Sequence, residues 1–412
     1  MTRRLVICFL LAHTAVAQEA FFMGLGDIPG GEVYSDARAV SADGSTVVGV
    51  STDEFGFGGR GLPFRWNAQT GMRSLLEGSE FYSGGATGVS SDGNAITGFA
   101  SRTDGTGGTF SWTAERAFIL IGDLPGGPEE SNAFAISADG TTIVGQGRTE
   151  TSHLFEAFRW TESDGIVSLG DLPGSVRFSS ATDVNADGSV IVGMSHSARG
   201  LEPFRWTPET GMIGLGFLDG GCSIAQAWAV SGDGRVIAGD GGDDQCAQVG
   251  FRWTAQTGMR SIEPRDGSGS QFSPRGVNFN GTVIVGNALF PRRAGGAAVW
   301  EPRFGTRSLK RVLEDNGINF DGWLLEFAED VSDDGRTIVG TGLNPDGNTE
   351  GWIAYLGPAT CADIDNDGLV GLSDLGILLS RFGTPTGATR ADGDVDLDDL
   401  QRLLTDFGNG CI

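Results

Sequence analysis

Short apolar runs alternate with polar turns along most of this chain, and the whole pattern returns at a near-constant interval. The recurring segment is a small residue and a hydrophobic one, then Ser or Asn, any residue, Asp and Gly, followed by two or three apolar residues and another Gly. It occurs at residues 40–44 and again around Asp92-Gly93, Asp139-Gly140, Asp187-Gly188, Asp233-Gly234, Asn280-Gly281 and Asp334-Gly335. The turn glycines are 49, 47, 48, 46, 47 and 54 residues apart. A second marker keeps the same step: Trp66, Trp112, Trp160, Trp206, Trp253 and Trp300 are 46 to 48 apart. Two markers with one period over seven units establish an internal repeat.

Each unit reads as four strands. In the third, residues 133–137 form a short strand and Asp139-Gly140 supplies the positive φ of a tight hairpin turn. Residues 142–145 return, residues 157–160 follow a variable loop, and residues 166–169 follow another turn. Four strands in a period in the forties predict a blade of a β-propeller; a β-solenoid needs shorter coils and separate sandwiches need longer domains. The seventh unit stops after its third strand, near residue 356. Residues 21–26, Phe-Phe-Met-Gly-Leu-Gly, read as an orphan fourth strand. They are expected to pair with the seventh blade, cover its open edge and tie the chain ends together. The fold class is therefore all-β, a seven-bladed β-propeller with N-terminal strand closure.

The first strand of each blade is expected to line the axis. Small residues (Ala37/Ala39, Ala86/Gly88, Ala133/Ala135, Ala227/Ala229) alternate there with larger ones such as Phe134 and Trp228. The repeated Phe-Arg-Trp, at residues 64–66, 158–160, 204–206 and 251–253, places Phe and Trp on one sheet face and Arg on the other. Inter-blade packing accounts for those aromatics. Up-and-down strand order puts the short Asp-Gly and Thr-Gly-Met turns at one end of the ring. The other end carries loops that differ between units (residues 51–62, 147–156, 240–250 and 287–296), and ligand specificity is expected there. Cys222 and Cys246 both fall at that end, which predicts a disulfide.

These units resemble the extracellular HAF repeats over residues 20–356, through Gly-Asp-Leu-Pro-Gly-Gly, Ser-Ala-Asp-Gly-x-x-hydrophobic-Val-Gly and Phe-Arg-Trp-Thr. Unit two departs with Phe-Ser-Trp at residues 110–112, and unit six with Asn280-Gly281. The resemblance implies export and brings no defined activity with it.

Charge narrows the partners. Acids outnumber bases 53 to 28, a formal charge of −25, and Lys310 is the single lysine. Such a chain repels nucleic acid and anionic membrane. The first residues read as an address: Arg3 and Arg4, an apolar run at residues 5–11, and Ala15-Val16-Ala17 before a cut after Ala17. No segment is long enough to span a bilayer. Past residue 17 four cysteines remain, an even number that favours disulfides in an exported chain. The expected organisation is a signal peptide over 1–17, the propeller over 18–356, a linker over 357–360 and a small module over 361–412.

That last segment holds ten Asp and three Arg. Residues 363–374 fit an EF-hand-type calcium loop, because calcium takes six to eight oxygens. Asp363, Asp365 and Asp367 offer alternate carboxylates, Gly368 permits the bend, Leu369 offers its carbonyl and Asp374 closes the site. A second copy offers Asp392, Asp396 and Asp399 with the Asp394 carbonyl, but Ala388 and Arg390 stand at its first and third positions, and calcium there stays open. Helices are expected over residues 375–382 and 400–407, with Leu and Phe at helical spacing. The duplicated loop-helix pattern, and Asp at the twelfth position, resemble a type I dockerin over residues 361–411. Cys361 and Cys411 bracket the module as a disulfide clasp, and so small a core depends on metal and clasp. The resemblance implies a cohesin-like protein or cell-surface component as partner, met through Leu372-Ser373 and Leu397-Asp398. The usual Ser-Thr pair is missing there, and packing of Leu372 and Leu397 within the module remains the alternative.

Catalytic motifs are scarce. His153 and His196, both read as loop residues, are the only histidines past the signal, and no nucleophile elbow, His-Glu-x-x-His or phosphate loop occurs. Asp183 and Asp330 share one position on inner strands and are the acids to inspect for a glycoside hydrolase pair. The sequence therefore points to a secreted, non-catalytic binding or scaffold propeller, attached through a calcium-dependent dockerin-like tail. The alternative is a carbohydrate-active enzyme, a hydrolase or lyase, with polysaccharide at the variable-loop face.

Overall fold

The computed structural model describes residues 19–29, 34–52, 60–127, 130–149, 154–174, 176–262, 271–290, 295–320, 322–357, 364, 370–380, 382, 400, 403 and 404. The chain falls into two compact units, one of which is Ala20–Leu356. That unit holds seven four-stranded antiparallel sheets, each built from consecutive strands except the last. Blade 1 is Ser35–Val40, Val47–Thr52, Gly61–Asn67 and Gly71–Ser74, and blades 2 to 6 repeat this order. Blade 7 is Leu324–Val331, Thr337–Leu343 and Thr349–Tyr355, completed by Phe21–Gly24. The closing register is Phe21 with Tyr355, Phe22 with Ala354, Met23 with Ile353 and Gly24 with Trp352. The expected seven-bladed, N-terminally closed propeller is the observed fold.

The repeated turn is built by its own side chains. In blade 3 the Ser137 hydroxyl donates to Asp139 Oδ1 (2.5 Å) and accepts the Thr142 amide (3.0 Å), while Asp139 Oδ1 also accepts the Thr141 amide (2.9 Å). Ser41, Ser90, Ser231 and Ser332 repeat the arrangement, and Asn185 and Asn278 accept the equivalent amide. This is why the motif needs a short hydroxyl or amide side chain two residues before Asp. The glycine that follows serves twice. Gly188 has φ of +73°, and an added Cβ would overlap Thr142 of the preceding blade.

These turns also touch one another. The Ala42 amide donates to the Ser91 carbonyl (3.2 Å) and Ser91 to Ala138 (2.8 Å). Ala186 donates to Gly232 (3.1 Å), Asp233 to Phe279 (3.0 Å), Phe279 to Asp333 (3.3 Å) and Asp333 back to Ala42 (3.1 Å). Six of the seven neighbouring pairs are joined this way, a backbone collar around the axis at the Asp-Gly end. On the second strand of each blade one glycine meets the inner strand so closely that a Cβ there, as on Gly145 against the Asn132 carbonyl oxygen, would overlap its backbone.

Packing between blades follows the third-strand pattern. Phe64, Phe110, Phe158, Phe204 and Phe251 are fully buried. Phe204, for example, shares a core cluster with Val144 and Ala157 of the preceding blade. Burying each such ring contributes about 1.5–3 kcal/mol. The arginine between Phe and Trp lies on the other face, as expected: Arg65 Nε donates to the Gly93 carbonyl in the next blade (3.2 Å). Blade 6 has Ala298 at the Phe position and blade 7 has Trp352. Between the two blades lies an inserted helix, α1 (Leu309–Asp315), whose Leu309, Val312 and Leu313 are buried with Trp352. The interval of 54 residues marked this insertion; its helicity was not expected.

Cys222 and Cys246 form the predicted disulfide, with Cα atoms 5.4 Å apart. In the second unit, helix α2 (Leu372–Ser380) starts three residues before the expected 375. The Asp374 carboxylate accepts the Gly371 amide (2.7 Å), so the helix is capped from its third residue and begins earlier. Val370, Leu378 and Leu403 bury one another there.

Phe22 carries much of the ring closure: it packs against Trp323 (centroids 5.3 Å), Phe320 (5.8 Å) and Trp352 (5.9 Å). Phe22→Ala is expected to lower stability by about 2–3 kcal/mol, less than a fully buried Phe because the ring is half-buried. Denaturant unfolding checks this; a midpoint equal to the parent's would show that the N-terminal strand does not hold the ring.

Candidate functional site

A cavity of about 660 Å3 runs along the axis, lined by the inner strands of all seven blades. Its shape depends on a register shift that recurs in each inner strand. Between Ala37 and Ala39 the pairing with Val47–Thr52 skips one residue, and the same shift falls between Ala86 and Gly88, Ala133 and Ala135, Ala181 and Asp183, Ala227 and Ala229, Pro274 and Gly276, and Ala328 and Asp330. A β-bulge leaves the skipped residue unpaired and re-aims its side chain. The seven skipped residues are Arg38, Thr87, Phe134, Thr182, Trp228, Arg275 and Glu329, and every one lines the cavity. Small flanking residues let the strands converge, and the residue between them is presented to the channel.

This ring is asymmetric. Blades 6, 7 and 1 present Arg275, Glu329 and Arg38. Arg38 Nε donates to Asp36 Oδ2 (2.9 Å), and Asp36 Oδ1 accepts the Thr341 hydroxyl (2.7 Å). Burial and then the Asp36 charge push the Glu329 carboxyl up, and the Arg275 and Arg38 charges oppose them. The Arg275 guanidinium lies 5.0 Å over the Trp228 ring. Trp228 is fixed in turn by its Nε1, which donates to Asp240 Oδ2 (2.6 Å). The remaining arc is uncharged. Thr87 and Thr182 donate to carbonyls of the next blade, at Ala133 (3.1 Å) and Ala227 (2.9 Å), and Phe134 is exposed to the channel. Toward the variable-loop end, where inner strands begin, the wall continues with Gln146, Phe178 and Gln226.

Asp183 and Asp330 also border the cavity, but their carboxylates are engaged. Asp183 accepts the amides of Val184 (2.8 Å) and Val230 (2.7 Å), and Val230 belongs to the next blade. Asp330 accepts Val331 (2.8 Å) and Val40 (2.9 Å), joining blade 7 to blade 1. Burial pushes each carboxyl up to about 7, against the pull of those amides. They are inter-blade clasps, in blades 4 and 7.

The fold recurs in solved structures. The β-propeller domain of the Trilobed protease from Pyrococcus furiosus superposes with a TM-score of 0.53 at 11% identity, over 78% of this chain and 95% of that one. A prolyl endopeptidase gives 0.51 at 12% identity, over 78% of this chain and 50% of that one. TolB from Acinetobacter baumannii gives 0.44 at 14% identity, over 65% of this chain and 64% of that one. The chain thus spans about half the length of the endopeptidase and 64% of the TolB chain. No protein-family model matches the chain, and no curated protein does. At these identities the first two likenesses establish the propeller fold. No helix among the described residues is long and apolar enough to cross a membrane.

Of the expected calcium ligands, Asp374 lies within the described residues. It is buried and accepts the Ile364 amide (2.6 Å) as well as that of Gly371. Asp363, Asp365, Asp367, Leu369, Asp392, Asp394, Asp396 and Asp399 lie outside them, as do Cys361, Cys411 and His153. His196 was read as a loop residue. It lies in the strand Ile191–Ser197, paired with Leu201, because that hairpin turns in two residues; its ring meets Phe178 edge-on at 5.7 Å. Sequence reasoning singled out Phe134 and Trp228 and missed Arg38, Arg275 and Glu329. Arg38 lies between Ala37 and Ala39, while Arg275 follows Pro274 and Glu329 precedes Asp330; the available signal was their shared repeat position with Phe134 and Trp228.

Both clasps predict a pH dependence of stability. The unfolded chain loses these protons near the ordinary carboxylate value of 3.8, and the folded chain near 7. Their contribution is complete below about 4 and is lost as pH rises toward 7. The parent is therefore expected to lose denaturant resistance between pH 5 and 7.5, and Asp330→Asn to lose less. An identical loss in parent and variant would rule out this assignment.

Proposed function

We propose that this chain is an exported, non-catalytic binding propeller that takes a ligand into its axial channel from the variable-loop end. Its C-terminal segment acts as a calcium-dependent, dockerin-like tether to a cohesin-like protein or a surface component. One observation carries the first half: a channel into which each blade sends one side chain, two of them arginines and two aromatic, with Asp183 and Asp330 both committed to neighbouring backbones. Cavities of this size with a few convergent polar groups suit small ligands. A carboxylate that clasps two blades is a poor nucleophile or proton donor, because leaving its amides would unfasten the ring. This weighs against the carbohydrate-active enzyme, whose reaction needs two carboxyl groups facing the substrate.

Export is supported by the leader-like first residues and by the Cys222–Cys246 disulfide, which persists in oxidising compartments. The tether is supported by Asp374. Its carboxylate accepts the Ile364 amide, which places it beside the first loop aspartates in sequence. Asp363, Asp365, Asp367, the Leu369 carbonyl and Asp374 would hold the ion. The second loop would use Asp392, Asp396, Asp399 and the Asp394 carbonyl.

Two measurements test the reading. Calcium is expected to raise the helicity and melting temperature of the full chain in its C-terminal transition, reversed by chelation; no response would remove the tether. On a glycan array followed by a reducing-sugar assay, hits are expected without sugar release. Release would replace the binding reading with the enzymatic one.

A further inference from the structure

The channel's two arginines differ in how they are satisfied. Arg38 is paired with Asp36. Arg275 makes no hydrogen bond and no ion pair among the described residues: its contact is the Trp228 ring, and its Nε is enclosed without an acceptor. A guanidinium presents donors in a planar fork that matches a carboxylate, and one held against an indole is already oriented. Glu329, on the adjacent blade, feels the Arg275 charge without coming within bonding distance. Asp36 and Glu329 share the channel wall with Arg275, and neither comes within hydrogen-bonding distance of its guanidinium.

The rest of the wall narrows the class. Blade 3 presents Phe134, an exposed apolar face, and Gln146 and Gln226 add neutral amides toward the mouth. A ring with one apolar face and hydroxyls at its edge fits such a wall. The formal charge of −25 opposes any anion approaching from solution, so capture of an acid depends on the Arg275 guanidinium. A densely charged polyanion would meet that repulsion along its whole length, whereas a short ligand with few carboxylates meets little of it.

We infer that the axial channel binds a short uronate-bearing saccharide, its carboxylate on Arg275 and a sugar ring against Phe134. This rests on the channel being a binding site and specifies its ligand. The probes are trigalacturonate and its methyl ester, titrated calorimetrically into the full chain. The acid is expected to bind at least tenfold tighter than the ester. Arg275→Gln is expected to bring that ratio close to one, Arg275→Lys to restore part of it, and Phe134→Ala to weaken acid and ester by the same factor. Circular dichroism and melting confirm that each variant is folded, and the acid-to-ester ratio of the parent needs no variant.

Equal affinity for acid and ester, an unchanged ratio in folded Arg275→Gln, or no heat with the acid at millimolar concentration would each overturn the inference. If the ester binds as well as the acid and Phe134→Ala weakens both, the channel is still a binding site and the carboxylate assignment alone is lost. If neither probe, nor any hit from the glycan array, responds to Phe134→Ala, the binding reading falls with it.

Discussion

Around the shared axis the Asp-Gly turns come close enough for backbone to bond to backbone across six of the seven blade junctions. The collar from Ala42 through Ser91, Gly232, Phe279 and Asp333 shows how close that approach is. Most features of the repeat answer to it. A turn glycine stands where a Cβ would enter the preceding blade, and the second-strand glycine stands where a Cβ would enter the inner-strand carbonyl. Ser, Asp and the following amides close each turn internally, so the collar's own amides and carbonyls stay available for their neighbours. A buried backbone group must find a partner, and at the axis the nearest one belongs to the next blade.

The same crowding produces the channel. An inner strand flanked by small residues can approach its neighbours, but a regular strand would turn alternate side chains into the blade interfaces. The bulge relieves this by pushing one residue per blade toward the axis. Tight packing therefore leaves one position in each repeat free to vary, and it is there that Arg, Thr, Phe, Trp and Glu replace one another. Residues that fasten the blades and residues that enter the channel are neighbours on one strand, and Thr87 and Thr182 do both. Asp183 and Asp330 fall on the structural side of that division, since their carboxylates fasten the next blade.

The repeat is broken where blades 6 and 7 meet. Helix α1, with Phe320, Trp323 and Trp352, packs against Ala297 and Val299 on the blade 6 face that looks toward blade 7. Phe22 joins this cluster from the N-terminal strand, so the irregular gap is also the place where the ring is closed. A larger core at that point offsets the loss of chain continuity, because the last sheet is held to its fourth strand by packing and backbone hydrogen bonds across more than 300 residues of sequence.

Blade number, strand order and the turns were legible in the sequence because they rest on periodicity and short-range stereochemistry repeated from unit to unit; the closing strand and the Cys222–Cys246 pair followed from the strand order that this repeat implies. The face carrying Phe and Trp was legible too. The start of α2 depended on a cap, Asp374 on Gly371, that a hydrophobic pattern does not display. What only the tertiary structure decided is which inner-strand side chains enter the channel. Alternation in a strand assigns them to one side or the other, but a bulge changes that assignment, and it forms in response to the neighbouring blades. Likewise Asp183 and Asp330 look alike with catalytic acids until Val230 and Val40, 47 and 290 residues away in the chain, are brought within hydrogen-bonding distance.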